Sequence, residues 1–114
     1  MFQITNLTKL KITEIPWVKI KDEILGKKYE LSLVFTGNAL IKKLNIKYRR
    51  KNKPASVLSF PISKKQGEIF VNLSQKKYSP FYLFIHGLLH LKSFKHSAKM
   101  EAEEERLLNL HHGA

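Results

Sequence analysis

Apolar and polar positions alternate along some stretches of the chain and recur at helical spacing along others. Alternation predicts β-strands, and apolar residues three or four positions apart predict helices. The predicted strands cover residues 2–7, 29–36, 56–61 and 68–73, and the predicted helices cover residues 16–25, 38–46, 79–91 and 100–110. Their order, β-α-β-α-β-β-α-α, predicts an α+β fold in which helices pack on a small mixed β-sheet. With no linker among its 114 residues, the chain is expected to form a single domain over residues 1–114.

Turn and capping residues set the expected boundaries of these elements. Asn38 is expected to cap the second helix, and Ser79 followed by Pro80 is expected to begin the third. Pro61 is expected to end the third strand, because proline cannot donate a hydrogen bond to a β-ladder. Between these elements, residues 48–53 are expected to form a basic loop.

The third predicted helix carries two histidines, His86 and His90, in the pattern HGLLH. Positions four apart lie on the same face of a helix, so both imidazoles point towards one place. The helix is apolar nearly all round and is therefore expected to be central and buried. A single histidine there would be an ordinary packed core residue, but two buried rings each need a polar partner. A shared metal ion would satisfy both.

A third histidine, His96, follows six residues after His90, beyond the expected end of the helix. A chain that turns back there can supply a third imidazole, and three imidazoles with an open fourth position are typical of a catalytic zinc site. We therefore expect one Zn²⁺ per chain on His86, His90 and His96, although other divalent ions that prefer imidazole remain alternatives. His111 and His112 lie beside the C-terminus and are expected to take no part.

The charge distribution narrows the class of ligand. The chain has a net charge of +12, and residues 31–100 contain fourteen Lys or Arg but one acidic residue, Glu68. A basic block around a metal site predicts a polyanionic partner, most simply nucleic acid. The alternative is a lysine-rich composition whose charges are simply solvated. Four aromatic residues could stack on bases, but most of them are expected in the core: Tyr48, Phe60, Phe70 and Tyr78.

Several classes of protein are disfavoured. The chain contains no cysteine, which excludes disulfides and thiolate metal sites and favours an intracellular location. Its N-terminal segment lacks the apolar core of a signal peptide. The longest apolar runs, of about five residues, are far too short to span a membrane, so no membrane partner is expected.

Catalytic side chains other than the histidines are few. Gly87 occupies the position of the glutamate base in the HExxH motif of zinc peptidases, which disfavours a peptidase. Zinc lowers the pKa of bound water to about 7, so a metal hydroxide can form without that base. A phosphodiester substrate needs cations at its oxygens, and Arg49 or Arg50 can present a planar fork to them. From spacing alone, both arginines are better explained as solvated charges. Ser59 lacks the G-x-S-x-G context of a serine nucleophile.

Two motifs make the chain similar to a known family. HGLLHLKSFKH resembles the H-G-x-L-H-L-x-G-Y-D-H signature of the YbeY family, and residues 48–61, YRRKNKPASVLSFP, resemble its Y-R-G-K-x-K-P-T-x-V-L-S-F-P segment. The tripeptide GEI at residues 67–69 and the acidic run from Glu101 are also similar to that family. Two motifs at compatible spacing, within matches over roughly two-thirds of the chain, are more specific than either motif alone.

The resemblance implies a bacterial metal-dependent endoribonuclease that acts in rRNA processing and ribosome biogenesis. It implies that His86, His90 and His96 are zinc ligands and that Arg49, rather than Arg50, is the functionally important arginine. It further implies rRNA and the small ribosomal subunit as partners, maturation of the 16S rRNA 3′ end, a role in ribosome quality control, and a cytoplasmic location.

The chain also departs from the family pattern. Ser93-Phe94-Lys95 replaces Gly-Tyr-Asp between the second and third histidines. The aspartate is a candidate for orienting a metal ligand, so its loss is expected to affect metal affinity and catalytic rate rather than the identity of the ligands. Ala55 replaces a threonine, and the segment between Leu73 and Ser79 is shorter than in typical members.

Three hypotheses for the function follow. The favoured one is an enzyme, a zinc-dependent endoribonuclease that cuts single-stranded RNA. Its catalytic residues would be Arg49, His86 and His90, and its RNA-binding residues would be Arg49, Arg50, Lys51 and Lys53. The second is a non-catalytic, zinc-containing assembly factor that binds RNA or the ribosome. The third is a metal hydrolase of another class, such as a peptidase or an esterase. The sequence does not indicate an oligomeric state.

Overall fold

The computed structural model describes residues 1–92, which form a four-stranded sheet and three helices. The elements are β1 (Phe2–Asn6), α1 (Trp17–Leu25), β2 (Glu30–Thr36), α2 (Asn38–Arg49), β3 (Val57–Ser63), β4 (Gln66–Asn72) and α3 (Pro80–Leu91). The predicted α+β class is confirmed. The helix predicted over residues 100–110 lies outside the described residues. Within residues 1–92, no helix has both the length and the apolarity that a membrane crossing requires.

The sheet is mixed, as the sequence predicts, and its strand order is β1-β2-β4-β3. Strand β2 pairs in parallel with both β1 and β4, whereas β3 pairs antiparallel with β4 and lies at the edge. Successive side chains of a strand point to opposite faces of the sheet. The edge strand therefore directs Ser59 to one face and Phe60 to the other.

The main core lies between one face of the sheet and the helices α1 and α3. Trp17 of α1 joins the two layers, because its ring meets Phe35 of β2 at 5.6 Å and Phe84 of α3 at 5.0 Å, both edge to face. Such pairs add about 0.5–1.5 kcal/mol to the stabilisation from burial. Helix α2 packs on the opposite face of the sheet, where Ile41 is fully buried. Helix α3 is thus held between α1 and the strands that carry the edge of the sheet.

Helix α3 is buried on most of its surface, in agreement with the prediction of a central helix. Ser79 caps its N-terminus by accepting a hydrogen bond from the amide of Tyr82 at 3.1 Å, and Pro80 is its first residue. The exposed part of its surface includes His90, while His86 is half-buried. The predicted start of the helix is confirmed. Because the apolar side of the helix packs into the core, the side that carries the histidines faces outwards.

Helix α2 differs from its prediction at both ends. Gly37 rather than Asn38 occupies the N-cap position, and it supplies no side-chain hydrogen bond. The Asn38 side chain instead accepts a hydrogen bond from Asn72 at 2.7 Å, so the predicted Asn38 cap is wrong because a tertiary partner takes its oxygen. At the other end the helix continues through Tyr48 to Arg49. The predicted loop over residues 48–53 was therefore too long.

Strand β3 does not end at Pro61, as predicted, but continues to Ser63. The Ser56 carbonyl accepts a hydrogen bond from Asn72 on β4, whereas the Ser59 carbonyl accepts one from Arg49, away from β4. Inward and outward backbone groups alternate along an antiparallel edge strand, so Pro61 directs its nitrogen outwards with Ser59. A proline there removes no hydrogen bond from the ladder, which is why it is tolerated.

We predict that Arg50→Gly raises the free energy of unfolding by about 0.5–1 kcal/mol. Arg50 follows the last residue of α2 in the left-handed conformation, with φ of 57°, where a Cβ is strained and glycine is not. Urea denaturation measures the change. Lys43→Gly, which also replaces an exposed basic residue by glycine but inside α2, should lower stability instead. A loss of stability in both variants would contradict the prediction.

Candidate active site

His86 and His90 lie one turn apart on α3 and their rings meet edge to face at 4.5 Å between centroids. The two Nε2 atoms are 2.9 Å apart. Since a hydrogen bond at this distance needs one donor and one acceptor, at least one of these nitrogens presents a lone pair to the other. The helix therefore directs both Nε2 atoms at one point, as their spacing predicts.

The geometry of this pair fits a zinc site. A tetrahedral zinc with bonds of about 2.0–2.1 Å holds two ligand nitrogens about 3.3 Å apart, a few tenths of an ångström more than the observed separation. A small rotation of either ring provides that distance. Within residues 1–92 no group of three or more His, Asp, Glu or Cys is suitably placed to hold a metal. The structure thus brings two of the predicted ligands together, and the third, His96, lies outside the described residues.

The reason given from the sequence for a metal, two buried rings in need of partners, is wrong. His90 is exposed and His86 is half-buried, so neither ring is enclosed in the core. Both rings line a cleft of about 500 Å³ beside the edge strand. What favours a metal is therefore their convergence on a solvent-accessible space, where a substrate could reach a bound ion.

Gly87 determines how closely α3 approaches the sheet beneath the histidines. A Cβ at this position would lie 2.9 Å from Ile69 Cγ2 and 3.0 Å from Ser59 Oγ. The hydroxyl of Ser59 donates a 3.1 Å hydrogen bond to the Gly87 carbonyl. The glycine therefore permits a close approach of α3 to the sheet, and the same contact leaves no space for the glutamate of an HExxH motif without displacing β3 or β4.

Arg49, at the end of α2, reaches over the edge strand. Its Nη2 donates a 2.8 Å hydrogen bond to the carbonyl of Ser59, and its guanidinium lies 5.4 Å from the ring centre of Phe60. Ser59 is thus held by the histidine helix through its hydroxyl and by Arg49 through its carbonyl. The result is that Arg49 and the histidine pair line the same cleft.

The charged side chains of the described cleft lining are all positive. Arg49, Lys51 and Lys53 contribute to it, and none of the lining residues within 1–92 is acidic. Arg50, which follows the last residue of α2 in the left-handed conformation, is not among the lining residues. The structure therefore brings five of the predicted site residues together, namely Arg49, Lys51, Lys53, His86 and His90, whereas a role for Arg50 in RNA binding stays a prediction.

Two buried asparagines, which the sequence analysis did not single out, hold the basic segment in place. Asn45 on α2 donates a 2.8 Å hydrogen bond to the Lys53 carbonyl, and Asn72 at the end of β4 donates a 3.1 Å bond to the Ala55 carbonyl. Each is 2 % exposed. Asn45 follows the buried Ile41 by one helical turn, so an amide on an apolar stripe was the signal that could have identified it.

The prediction that most of the four aromatic residues lie in the core is wrong, because two of them are exposed and two are only half-buried. Tyr48 is 55 % exposed and Tyr78 is 38 % exposed, and Phe60 and Phe70 are half-buried. Tyr78 stacks on Tyr82 at 5.1 Å, and Tyr82 stacks on His86 at 6.2 Å. For Phe60 and Phe70, which lie on strands, the expectation failed because apolar alternation identifies a strand face without telling whether a helix covers it.

Comparison with known proteins assigns the chain to a family. Residues 3–112 match the family model described as Endoribonuclease YbeY. The chain belongs to the YbeY family. This confirms the resemblance identified from the HGLLH and YRRKNKP segments.

Individual members of the YbeY family support the assignment. Endoribonuclease YbeY of Ehrlichia chaffeensis is 35 % identical, over an alignment 117 positions long that covers 88 % of this chain and 76 % of that protein. Its counterpart in Neorickettsia sennetsu is 30 % identical and covers 90 % of this chain and 95 % of that protein. The Pelagibacter ubique protein is 38 % identical, with 67 % of this chain and 62 % of that protein covered.

A solved structure has the same fold. The solution structure of TM1509 from Thermotoga maritima superposes with a TM-score of 0.59 over 96 % of this chain and 87 % of that chain. The sequence identity is 21 %, so this similarity concerns the fold.

We predict that Gly87→Ala lowers the free energy of unfolding by about 1–3 kcal/mol, because overpacking against Ile69 outweighs the better helix propensity of alanine. Ile69 is fully buried and cannot move aside freely. Chemical denaturation measures the change. In an Ile69→Val background, which lacks the Cδ1 atom 3.0 Å from the added Cβ, the loss should be smaller. An equal loss in both backgrounds would mean that the contact with Ile69 Cδ1 does not limit how closely α3 approaches the sheet.

Proposed function

We propose that this chain is a zinc-dependent endoribonuclease that cuts single-stranded RNA. The observation that carries the proposal is the cleft in which a converging histidine pair faces Arg49, Lys51 and Lys53 with no acidic residue in the described lining. A metal site suits hydrolysis, and a cleft whose charged side chains are all positive suits a polyanionic substrate. The description of the YbeY family as endoribonucleases supports RNA as that polyanion.

In this proposal His86, His90 and His96 hold one zinc ion per chain. When bound, the ion supplies a water molecule of lowered pKa as the nucleophile. The contribution of the helix is to orient two ligands before the metal arrives, since both rings already converge at 2.9 Å. The Ser59 hydroxyl maintains this arrangement by tying the backbone between the two histidines to the sheet.

Arg49 binds the scissile phosphate. A guanidinium has five N–H donors, and the described contact with the Ser59 carbonyl uses one Nη2 hydrogen. The other donors can bind phosphate oxygens in the paired geometry that arginine favours. Because the carbonyl holds the group at the rim of the cleft, its charge is positioned before the substrate binds. Lys51 and Lys53 add a less directional attraction for the RNA backbone.

The edge strand disfavours a peptidase. An extended peptide can add to a sheet edge through backbone hydrogen bonds. On β3, however, the outward carbonyl of Ser59 is bonded to Arg49, and Pro61 has no N–H to donate. Gly87 also excludes the usual glutamate base by its close packing. Within residues 1–92, a peptide substrate therefore finds no free docking edge at Ser59 and Pro61 and no glutamate base at position 87.

We further propose a cytoplasmic role in maturation of the 16S rRNA 3′ end and in ribosome quality control, with rRNA and the small ribosomal subunit as partners. The support for this substrate is the resemblance of the two motifs to the YbeY family. The residues of the cleft support a metal and a polyanion, and they do not distinguish one single-stranded RNA from another.

The metal prediction concerns His90. Untagged wild-type chain should carry one zinc ion by mass spectrometry and should cut a single-stranded RNA in a chelator-sensitive manner. His90→Ala should lose both properties, because removing one of three imidazoles leaves an incomplete site. A variant lacking His111 and His112 is the matched control and should retain both. Zinc without cutting, together with salt-sensitive RNA binding, would instead support the non-catalytic assembly factor, and wild-type protein without metal would overturn the proposed centre.

Replacing Arg49 by lysine keeps the positive charge but removes the planar guanidinium, so this variant tests the geometry of the group separately from its charge. Arg49→Lys should lower kcat/KM for RNA cleavage by about 10- to 100-fold, because lysine cannot bind Ser59 and a phosphate with one planar group. Zinc content should stay unchanged. Arg50→Lys is the matched control, since Arg50 is outside the described cleft lining, and it should change kcat/KM by less than about 3-fold. Equal effects of the two variants would contradict the role of Arg49.

A further inference from the structure

The face of the sheet opposite α3 carries a cluster of exposed and half-buried aromatic rings. Tyr48 at the end of α2 meets Phe60 of β3 at 5.2 Å, and Phe60 meets Phe70 of β4 at 5.8 Å, both edge to face. We call these three residues the far-face cluster. Tyr48 is 55 % exposed, so it contributes little to the core. Large aromatic rings that neither fill the core nor serve the histidine pair need another explanation.

We propose that the far-face cluster is a stacking surface for bases of single-stranded RNA that continues from the cleft around the edge of the sheet. This inference rests on the proposed function, because it extends the binding site of the same RNA. It assigns to the second face of the sheet a role in substrate affinity that is separate from cleavage.

Arg49 connects the cleft to the far-face cluster. It donates to the Ser59 carbonyl and lies over the ring of Phe60, and these two neighbours point their side chains to opposite faces of β3. The cleft itself is lined from both faces, by Ser59 on the side of α3 and by Leu58 on the side of α2. No strand lies beyond β3 in the described sheet. An RNA phosphate bound at Arg49 therefore has its neighbouring nucleotide at the edge that leads to the cluster.

Charge and ring chemistry favour RNA over an apolar protein partner. The Nζ of Lys47 lies 5.2 Å from the ring centre of Tyr48, and the Arg49 guanidinium lies 5.4 Å from that of Phe60. Aromatic rings interleaved with cations bind single strands by stacking on bases while attracting phosphates. Glu68, which pairs with Phe60 on the neighbouring strand, is the sole acidic side chain among residues 31–92 and is half-buried. The positive charges beside the cluster thus outnumber it.

The test measures the affinity of fluorescein-labelled oligouridylates in a His90→Ala background, in which cleavage is absent. Tyr48→Ala should weaken binding of a dodecanucleotide by about 5- to 100-fold, the effect expected from losing one stacked base. It should leave binding of a tetranucleotide, which the cleft alone can hold, within about 3-fold. Tyr48→Phe should restore the affinity, because the ring and not the hydroxyl stacks.

Tyr78→Ala is the matched control. Tyr78 is 38 % exposed and has Lys77 Nζ 5.3 Å from its ring centre, but it lies before α3 and away from the far-face cluster. Tyr78 stacks through Tyr82 towards His86 in the cleft, so its loss should change the affinities of the dodecanucleotide and the tetranucleotide by the same factor, whereas Tyr48→Ala should affect the dodecanucleotide alone.

A spectroscopic readout tests contact directly. Tyr48→Trp places an exposed indole in the cluster, whereas the natural Trp17 is 7 % exposed and buried in the core. Stacking should quench the new emission with the dodecanucleotide and not with the tetranucleotide. Unchanged dodecanucleotide affinity in Tyr48→Ala together with unquenched emission would overturn the inference while leaving the proposed function intact. If the chain with natural Tyr48 binds neither oligonucleotide, the proposed function itself fails.

Discussion

The close approach of α3 to the edge strand at Gly87 is the contact on which the site depends. Without a side chain at this position, the helix backbone lies against Ile69 and Ser59, and the Ser59 hydroxyl can reach the Gly87 carbonyl. Because the backbone at Gly87 lies between His86 and His90, this hydrogen bond also fixes the height of both rings above the sheet. A larger residue would raise the helix and move the pair away from Arg49. Backbone packing in the core therefore sets the geometry of the exposed cleft.

Ser59 extends this constraint to the other side of the sheet. Its hydroxyl binds α3 between the two histidines, and its carbonyl binds Arg49. One edge-strand residue thus connects the proposed metal site to the proposed phosphate-binding residue. The outward backbone of an edge strand is normally open to pairing with another chain. Here the outward carbonyl of Ser59 positions the Arg49 guanidinium instead, and Pro61, the next outward residue, has no N–H group to donate to another strand. The same features protect the edge and build the cleft.

The connections around the site are short and are held by side-chain amides. Asn45 and Asn72 hold the backbone of the basic segment through the carbonyls of Lys53 and Ala55. Gln75 binds both the amide and the carbonyl of Tyr78, at 2.9 Å each, and so closes the brief link from β4 to the capping residue Ser79. Where a longer insertion would be expected from the family pattern, one glutamine orders the turn. The histidine helix consequently begins after an ordered link of residues 73–79.

Local patterns in the sequence determined the elements, the capping of α3 and the pairing of His86 with His90, because these depend on spacing along one helix or strand. The family could also be identified from two short motifs. Only the tertiary structure decided that Arg49, Lys51 and Lys53 face the histidines, since that requires α2, β3 and α3 to meet. The tertiary structure likewise decided that Asn38 hydrogen-bonds Asn72 instead of capping a helix. It also decided that Tyr48 is exposed at the surface instead of lying in the core. The physical reason is the same in each case. The place of a polar side chain or an aromatic ring depends on the group that it contacts, and that group lies on another element of the fold.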